Sequence, residues 1–305
     1  MKDILIIGGG PAGLTAAIYA ARAGRTAAIY EKETVGGQIV FSPMVENFPA
    51  VPHVTGADLA ARMEEQAASF GTEFRYAEVT AIRRTPDGFF VEAGKASDSA
   101  PAVILAAGVA HKGLGLPDEE DLIGLGVAFC AVCDGAFYRG RDVIVVGGGD
   151  AALQDALFLS GLCRRVTMVL RRDVFRGEAM LVDQVRNTPN IRVLLRRRPL
   201  AYLTEDGIAC GLRVLDLATG REEDLPAACV FLAVGQKPQN EAVQGLLELT
   251  PEGYVPAGED ALTPVPGLFA AGDCRRKTVR QLTTAVSDGA SAALAACDYL
   301  KEIGF

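Results

Sequence analysis

The apolar positions of this chain come in short uninterrupted runs that end in glycines, and each such run gives way to a helical pattern of apolar and polar residues. Residues 4–24 read ILIIGGGPAGLTAAIYAARAG and residues 143–163 read VIVVGGGDAALQDALFLSGLC. At a constant offset of 139, Gly8, Gly9 and Gly10 fall on Gly147, Gly148 and Gly149, and Gly13 falls on Ala152. Each copy predicts a strand, a tight turn and an amphipathic helix, and a second strand comes after each, Thr26 to Glu31 and Val166 to Leu170. Leu105 to Gly108 and Phe231 to Pro238 read as further buried strands running into Gly/Pro connections, and residues 268–273 (LFAAGD) as another. Gln281 to Tyr299 is Ala-rich and helical in pattern. The expected fold class is α/β, with two Rossmann-like dinucleotide-binding domains, the second inserted into the first. The boundaries implied are 1–112 plus 241–305 for the first and 113–240 for the second.

The glycines have one physical reason in both copies. The backbone must turn tightly and come close to a pyrophosphate, which then rests on the amide groups and positive dipole end of the helix. The end of the second strand in each copy separates the two nucleotides. Glu31 ends that strand in the first copy, where a carboxylate accepts hydrogen bonds from a ribose diol and repels a 2'-phosphate, so this site suits FAD or NAD. The matching position of the second copy is Leu170, succeeded by Arg171, Arg172 and Arg176, which suits the 2'-phosphate of NADPH. The alternative is a solvated, charged strand end.

Composition narrows the function. In 305 residues, Lys plus Arg number 30 against 38 Asp plus Glu, a net charge of -8, which argues against nucleic acid as a partner. No apolar run reaches the roughly 20 residues of a membrane span, and the N-terminus does not read as a signal peptide, so no membrane is expected. Seven cysteines do not suggest a disulfide framework, and a cytoplasmic location is the expectation. Cys130-Ala131-Val132-Cys133 is the single CxxC. The other cysteines and the two histidines, His53 and His111, are too scattered to complete a zinc site, so no metal is expected. A redox disulfide fits the spacing better. Asp134, next to Cys133, reads either as a proton carrier for dithiol chemistry or as a cap. The remaining five cysteines read as small buried hydrophobes.

The order of the glycine fingerprint, GGQ (36–38), VENFP (45–49), CAVCDG (130–135), GGGDAA (147–152), RRDVFR (171–176), VGQKP (234–238) and AAGDCRRKTVRQ (270–281) resembles the low-molecular-weight thioredoxin reductases, over essentially the whole chain. The resemblance implies an NADPH-dependent, FAD-containing homodimer whose Cys130–Cys133 disulfide reduces thioredoxin, with Asp134 as proton donor. It implies FAD on Gly8, Gly10, Pro11, Ala12 and Gly13, on Glu31 and Lys32, on Gly37, Gln38, Asn47 and Gly108, and on Gly272, Asp273, Arg280, Gln281 and Leu282. NADPH is implied on Gly147, Gly149, Asp150, Ala151 and Ala152, on Arg171, Arg172 and Arg176, and on Gly235. Leu170, Gln154 and the PQN at 238–240 depart from the family pattern and bear on nucleotide affinity. Ala136 and Phe137 are the nearest candidates for thioredoxin contact. Two other enzymes of this fold share the CxxC, a flavin oxidase of small dithiols and a ferredoxin-linked thioredoxin reductase. The arginine cluster argues against the second.

Overall fold

The computed structural model describes residues 1–42 and 44–305. Its internal contacts divide the chain into two compact units, Met1–Ala110 with Lys237–Phe305, and His111–Gln236.

The first unit is built on a five-stranded parallel sheet in the order Leu268–Ala270, Ala102–Leu105, Ile4–Ile7, Ala27–Glu31, Glu73–Tyr76. Ile4–Ile7 is central and wholly buried, which is why it is apolar at every position: both faces of the sheet are covered. Ile4 and Ile6 point to one face, with Ile29 and Ile104, and meet Leu14 of the helix Pro11–Arg22 and Ala292 and Ala296 of the helix Leu282–Glu302. Leu5, Ile7, Val103 and Leu105 point to the other face and meet Phe89 and Val91. Those two residues belong to an antiparallel three-stranded sheet, Val79–Thr85, Gly88–Ala93 and Ala96–Ala100.

The second unit repeats the plan. Its parallel sheet runs Ile191–Leu194, Arg165–Val169, Asp142–Val146, Cys229–Leu232, Val127–Ala128. Leu153, Ala156 and Leu159 of the helix Asp150–Ser160 and Val185 of Ala179–Asn187 cover one face. The antiparallel strands Arg197–Glu205, Ile208–Asp216 and Glu222–Pro226 cover the other through Tyr202, Leu212, Val214 and Leu225. The mixed α/β architecture with two parallel-sheet cores is the one the glycine repeat predicts.

The sequence pattern misplaces two strands. The strand expected at Leu105 to Gly108 is Ala102–Leu105, and the one expected at Phe231 to Pro238 is Cys229–Leu232 with a separate short strand Gln236–Pro238. In both places the chain leaves the sheet before reaching a left-handed glycine, Gly108 (φ +66°) or Gly235 (φ +122°). Among the described residues, no helix is long and apolar enough to cross a membrane.

Candidate active site

The first glycine turn is shaped by close contacts. Gly8 has φ +109°, and a Cβ on it would lie 2.3 Å from the Ala106 carbonyl oxygen. A Cβ on Gly13 would lie 1.9 Å from the Gly8 carbonyl oxygen, so the helix sits directly on the turn. Gly10 precedes this helix without a side-chain cap and Pro11 opens it, leaving the amides of Ala12 and Gly13 for an anion. The Gly9 amide donates to Glu31 Oε2 at 2.8 Å, and the Glu33 amide donates to Oε1 at 2.9 Å. Glu31 is thereby held beside the turn, whereas Lys32 is exposed and pairs with Glu33 at 3.4 Å. The Gly36 amide donates to the Gly9 carbonyl at 2.8 Å, which brings Gly37 against Gly10, with Gln38 next in the short helical turn Gly37–Phe41.

The same cradle is completed from the C-terminal part of the unit. Gly272 (φ +76°) packs on Ala12, where an added Cβ would stand 2.9 Å from the alanine methyl. Asp273 comes next with Oδ1 buried and accepting no hydrogen bond among the described residues, and burial pushes its carboxyl up against the pull of Lys277 and Arg280. Arg280 lays its guanidinium over the Tyr254 ring at 4.3 Å and leaves a buried Nε–H without a partner among the described residues. Asn47 Nδ2 donates to Gln281 Oε1 at 3.4 Å, Gln281 forms a capping box with Thr284, and Leu282 packs on Val45, Val54 and Leu59. Gly108 has open space at its Cβ position, and its carbonyl accepts from the Gln239 amide at 3.2 Å. An open buried acceptor and an open buried donor around a bare helix start match the hydroxyls and phosphates of a dinucleotide, so these residues fit a flavin dinucleotide.

The second turn obeys the same rule with a looser helix. Gly147 has φ +150°, and its Cβ would meet the Ala233 carbonyl oxygen at 2.4 Å. Here Ala152 replaces the packing glycine and is fully buried, its methyl 2.9 Å from where a Gly147 Cβ would stand. Gly149 has nothing within 4 Å of its Cβ position, and the next residue, Asp150, accepts from the Glu178 amide at 2.7 Å, beside the exposed Ala151. The Arg176 amide donates to the Gly148 carbonyl at 2.8 Å, tying the arginine segment to the turn. Arg171, Arg172 and Arg176 are exposed and form no ion pair among the described residues, while the adjacent Asp173 is taken by Arg196 at 3.0 Å. This fits a phosphate-bearing nucleotide. Leu170 is buried beneath Gly148, and Gln154 is exposed on the helix. Gly235 accepts from the Lys112 amide at 3.0 Å. Asn240, the end of the PQN departure, lies in the first unit: it is buried and its Nδ2 donates to the carbonyls of Gly253 (2.9 Å) and Cys274 (2.8 Å), a loop tether.

Cys130 and Cys133 form a disulfide with 5.2 Å between their Cα atoms. Cys130 precedes the one-turn helix Ala131–Asp134, and its Sγ accepts from the Cys133 amide at 3.1 Å. Gly135 anchors this turn on the helix after the second glycine turn, since a Cβ there would stand 2.8 Å from Leu159 Cδ2. Val132 and Phe137 are exposed at its surface. Asp134 has a buried Oδ1 without a partner, and burial pushes its carboxyl up to about 6. The partly buried Tyr138 and the buried Cys229 lie near it, and desolvation pushes both of them up. Of the other cysteines, Cys163, Cys229, Cys274 and Cys297 are buried and Cys210 is partly exposed.

Two groups carry no signal in the sequence. Burial pushes Asp155 up to about 7 and His111 down to about 4, and His111 stacks on Phe129, next to Cys130, at 4.5 Å between ring centroids. Nothing in the local pattern around either residue announces its burial.

The chain matches the pyridine nucleotide-disulphide oxidoreductase family over residues 2–289. It is 41% identical to a thioredoxin reductase of Mycolicibacterium smegmatis over 99% of this chain and 97% of that one. It is 36% identical to a thioredoxin reductase of Bacillus subtilis (strain 168), covering 99% and 95% of the two chains. Among solved structures, thioredoxin reductase from Streptococcus pyogenes MGAS5005 superposes with a TM-score of 0.95 at 38% identity, covering 99% of both chains. With a CxxC disulfide and two glycine turns at helix starts, and with whole-chain similarity of this depth, the chain belongs to the pyridine nucleotide-disulphide oxidoreductases and, within them, to the thioredoxin reductases, enzymes of disulfide reduction.

Proposed function

We propose that this chain reduces thioredoxin with NADPH, through FAD held by the first unit and the Cys130–Cys133 disulfide carried by the second, as a cytoplasmic homodimer. The observation that carries the reading is one of connectivity. The second glycine turn with its arginines and the disulfide with Asp134 belong to the same compact unit, whereas the first glycine turn belongs to the other. Donor nucleotide and disulfide therefore travel together and take turns at the flavin by rotation of one unit against the other. The chain crosses between the units at 110/111 and 236/237, and these crossings support a hinge there. Glu119 ties residues 114 and 115 into the second unit, its carboxylate accepting from the Leu114 amide (2.9 Å), the Gly115 amide (3.2 Å) and the Tyr202 hydroxyl (2.6 Å).

Each residue has a task in this reading. Glu31 receives the ribose diol of the flavin dinucleotide, and Arg171, Arg172 and Arg176 neutralise the 2'-phosphate of NADPH. A bound flavin supplies two-electron chemistry, accepting a hydride and passing an electron pair on. Reduction of the disulfide consumes two electrons and two protons, and Asp134 holds one of those protons beside Cys133. Cys133 would take electrons from a bound flavin, the role the resemblance implies for it. Cys130 then attacks the thioredoxin disulfide as a thiolate to form a mixed disulfide, releasing one thioredoxin thiol, and Cys133 displaces the second while the Cys130–Cys133 bond reforms.

Anaerobic titration of the yellow protein with NADPH, and then addition of oxidised thioredoxin, tests the whole sequence. Two equivalents of NADPH per chain, one for the disulfide and one for the flavin, should bleach the flavin absorbance and thioredoxin should restore it. Failure to bleach would favour a ferredoxin-linked enzyme, and recovery with oxygen but not with thioredoxin would favour a small-dithiol oxidase.

A further inference from the structure

The helix Leu282–Glu302 carries a charged side chain that neither the disulfide nor the glycine turns account for. Asp288 sits in its middle, 6% exposed. Its carboxylate accepts four hydrogen bonds, all from residues 272–277. Arg275 donates through Nε to Oδ2 (2.9 Å) and through Nη2 to Oδ1 (2.6 Å), Lys277 Nζ donates to Oδ2 (2.9 Å), and the Gly272 amide donates to Oδ2 (3.0 Å). The adjacent Gly289 presses on the first helix, where a Cβ would stand 2.2 Å from the Ala12 carbonyl oxygen. One helical turn thus touches both halves of the cradle around the first glycine turn.

The charges are arranged with more care than burial alone requires. The bidentate Arg275 already satisfies Asp288. Lys277, its side chain 6% exposed, has been brought in as a second cation, and it also lies 3.7 Å from Asp273. Two buried cations thus face two carboxylates, and a single oxygen of the set, Asp273 Oδ1, is buried with no hydrogen bond among the described residues, the Lys277 ammonium standing 3.7 Å from it. An unsatisfied acceptor in an otherwise complete buried network marks the place where a donor from outside the chain belongs.

We infer that Asp288 is a positioning residue for the flavin: it holds the Gly272–Asp273 backbone against the glycine turn and fixes the Lys277 ammonium beside Asp273, so that Asp273 Oδ1 is presented to a hydroxyl of the bound dinucleotide. The inference rests on the reading of the first cradle as the FAD site.

Its test uses the full-length protein with Asp288→Asn, Lys277→Met and, as a control on the exposed end of the same helix, Asp298→Asn. Two quantities are read: FAD affinity of the apoprotein from flavin fluorescence quenching, and the midpoint potential of the bound flavin. Asp288→Asn should weaken FAD binding roughly tenfold, the change expected when a charge-assisted contact is lost. It should raise the midpoint, because one cation is left in excess and favours the electron-rich reduced flavin. Lys277→Met should lower the midpoint, because a carboxylate is left in excess, and Asp298→Asn should match the parent. Midpoints that move in the same direction in both variants, or affinities and midpoints equal to the parent's, would overturn the inference. If Asp288→Asn does not fold, Lys277→Met decides alone: a lowered midpoint supports the inference and an unchanged one overturns it. A parent chain that takes up no FAD would overturn the flavin site and this inference with it.

Discussion

Replacing Asp134 by Asn keeps the size of the side chain and removes its proton equilibrium, which makes it a direct probe of the acid at the disulfide. Burial raises this carboxyl from 3.8 to about 6. A difference of about two pH units corresponds to about 3 kcal/mol between the two protonation states. Because the folded value lies above the unfolded one, the carboxyl's favourable contribution is complete below pH about 3.8 and is lost as pH rises through about 6. Asp134→Asn should therefore match the parent in stability near pH 4 and exceed it by up to about 3 kcal/mol above pH 7. Urea midpoints of the FAD-loaded proteins at pH 4.5, 6 and 7.5 read this difference. The same substitution should slow reduction of thioredoxin about 100-fold while leaving bleaching by NADPH at the parent rate. The parent's thioredoxin step should decline as pH rises above 6 and the variant's should not. Stability curves that stay parallel from pH 4.5 to 7.5, together with an undiminished thioredoxin step, would refute both the burial argument and the assigned role.

Arg171→Ala with Arg172→Ala should abolish a preference for NADPH over NADH that is on the order of 100-fold or more in the parent, as measured by kcat/KM with each nucleotide. Cys133→Ser should accumulate a covalent complex with a thioredoxin carrying one activated thiol, seen on non-reducing gels, while Cys130→Ser should show a long-wavelength charge-transfer band and little complex; the opposite pattern exchanges the two roles. A cross-link that joins the two units should preserve one half-reaction and suppress the other in stopped-flow traces, and full turnover with the cross-link complete would exclude rotation. Gly13→Ala should cost the protein its bound FAD, because the new methyl would stand 1.9 Å from the Gly8 carbonyl oxygen, whereas Ala152→Gly in the second turn should leave NADPH affinity within a few-fold of the parent.

Much of the architecture is legible along the chain because it arises from local rules. A strand buried on both faces must be apolar at its buried positions, and a backbone that turns onto a phosphate needs glycine, so Ile4–Ile7 with Gly8 and residues 143–146 with Gly147 announce themselves. The CxxC is legible for the same reason: two cysteines three residues apart close their bond within one turn. The cover of the sheets is not. The strands Gly88–Ala93 and Ile208–Asp216 alternate buried with more exposed positions, and only the assembled unit shows which sheet face Phe89 or Leu212 completes. The two glycine turns look alike in sequence, yet the distance between helix and turn, tight at Gly13 and relaxed at Ala152, is set by packing. The chemistry of single groups is further still from the sequence. Asp134 is a weak acid because other segments exclude water from it, Asn240 ties together carbonyls 13 and 34 residues away, and Asp288 meets Gly272 across 16 residues. Desolvation and hydrogen-bond satisfaction depend on every segment that arrives at a point in space, and local pattern carries no record of those arrivals.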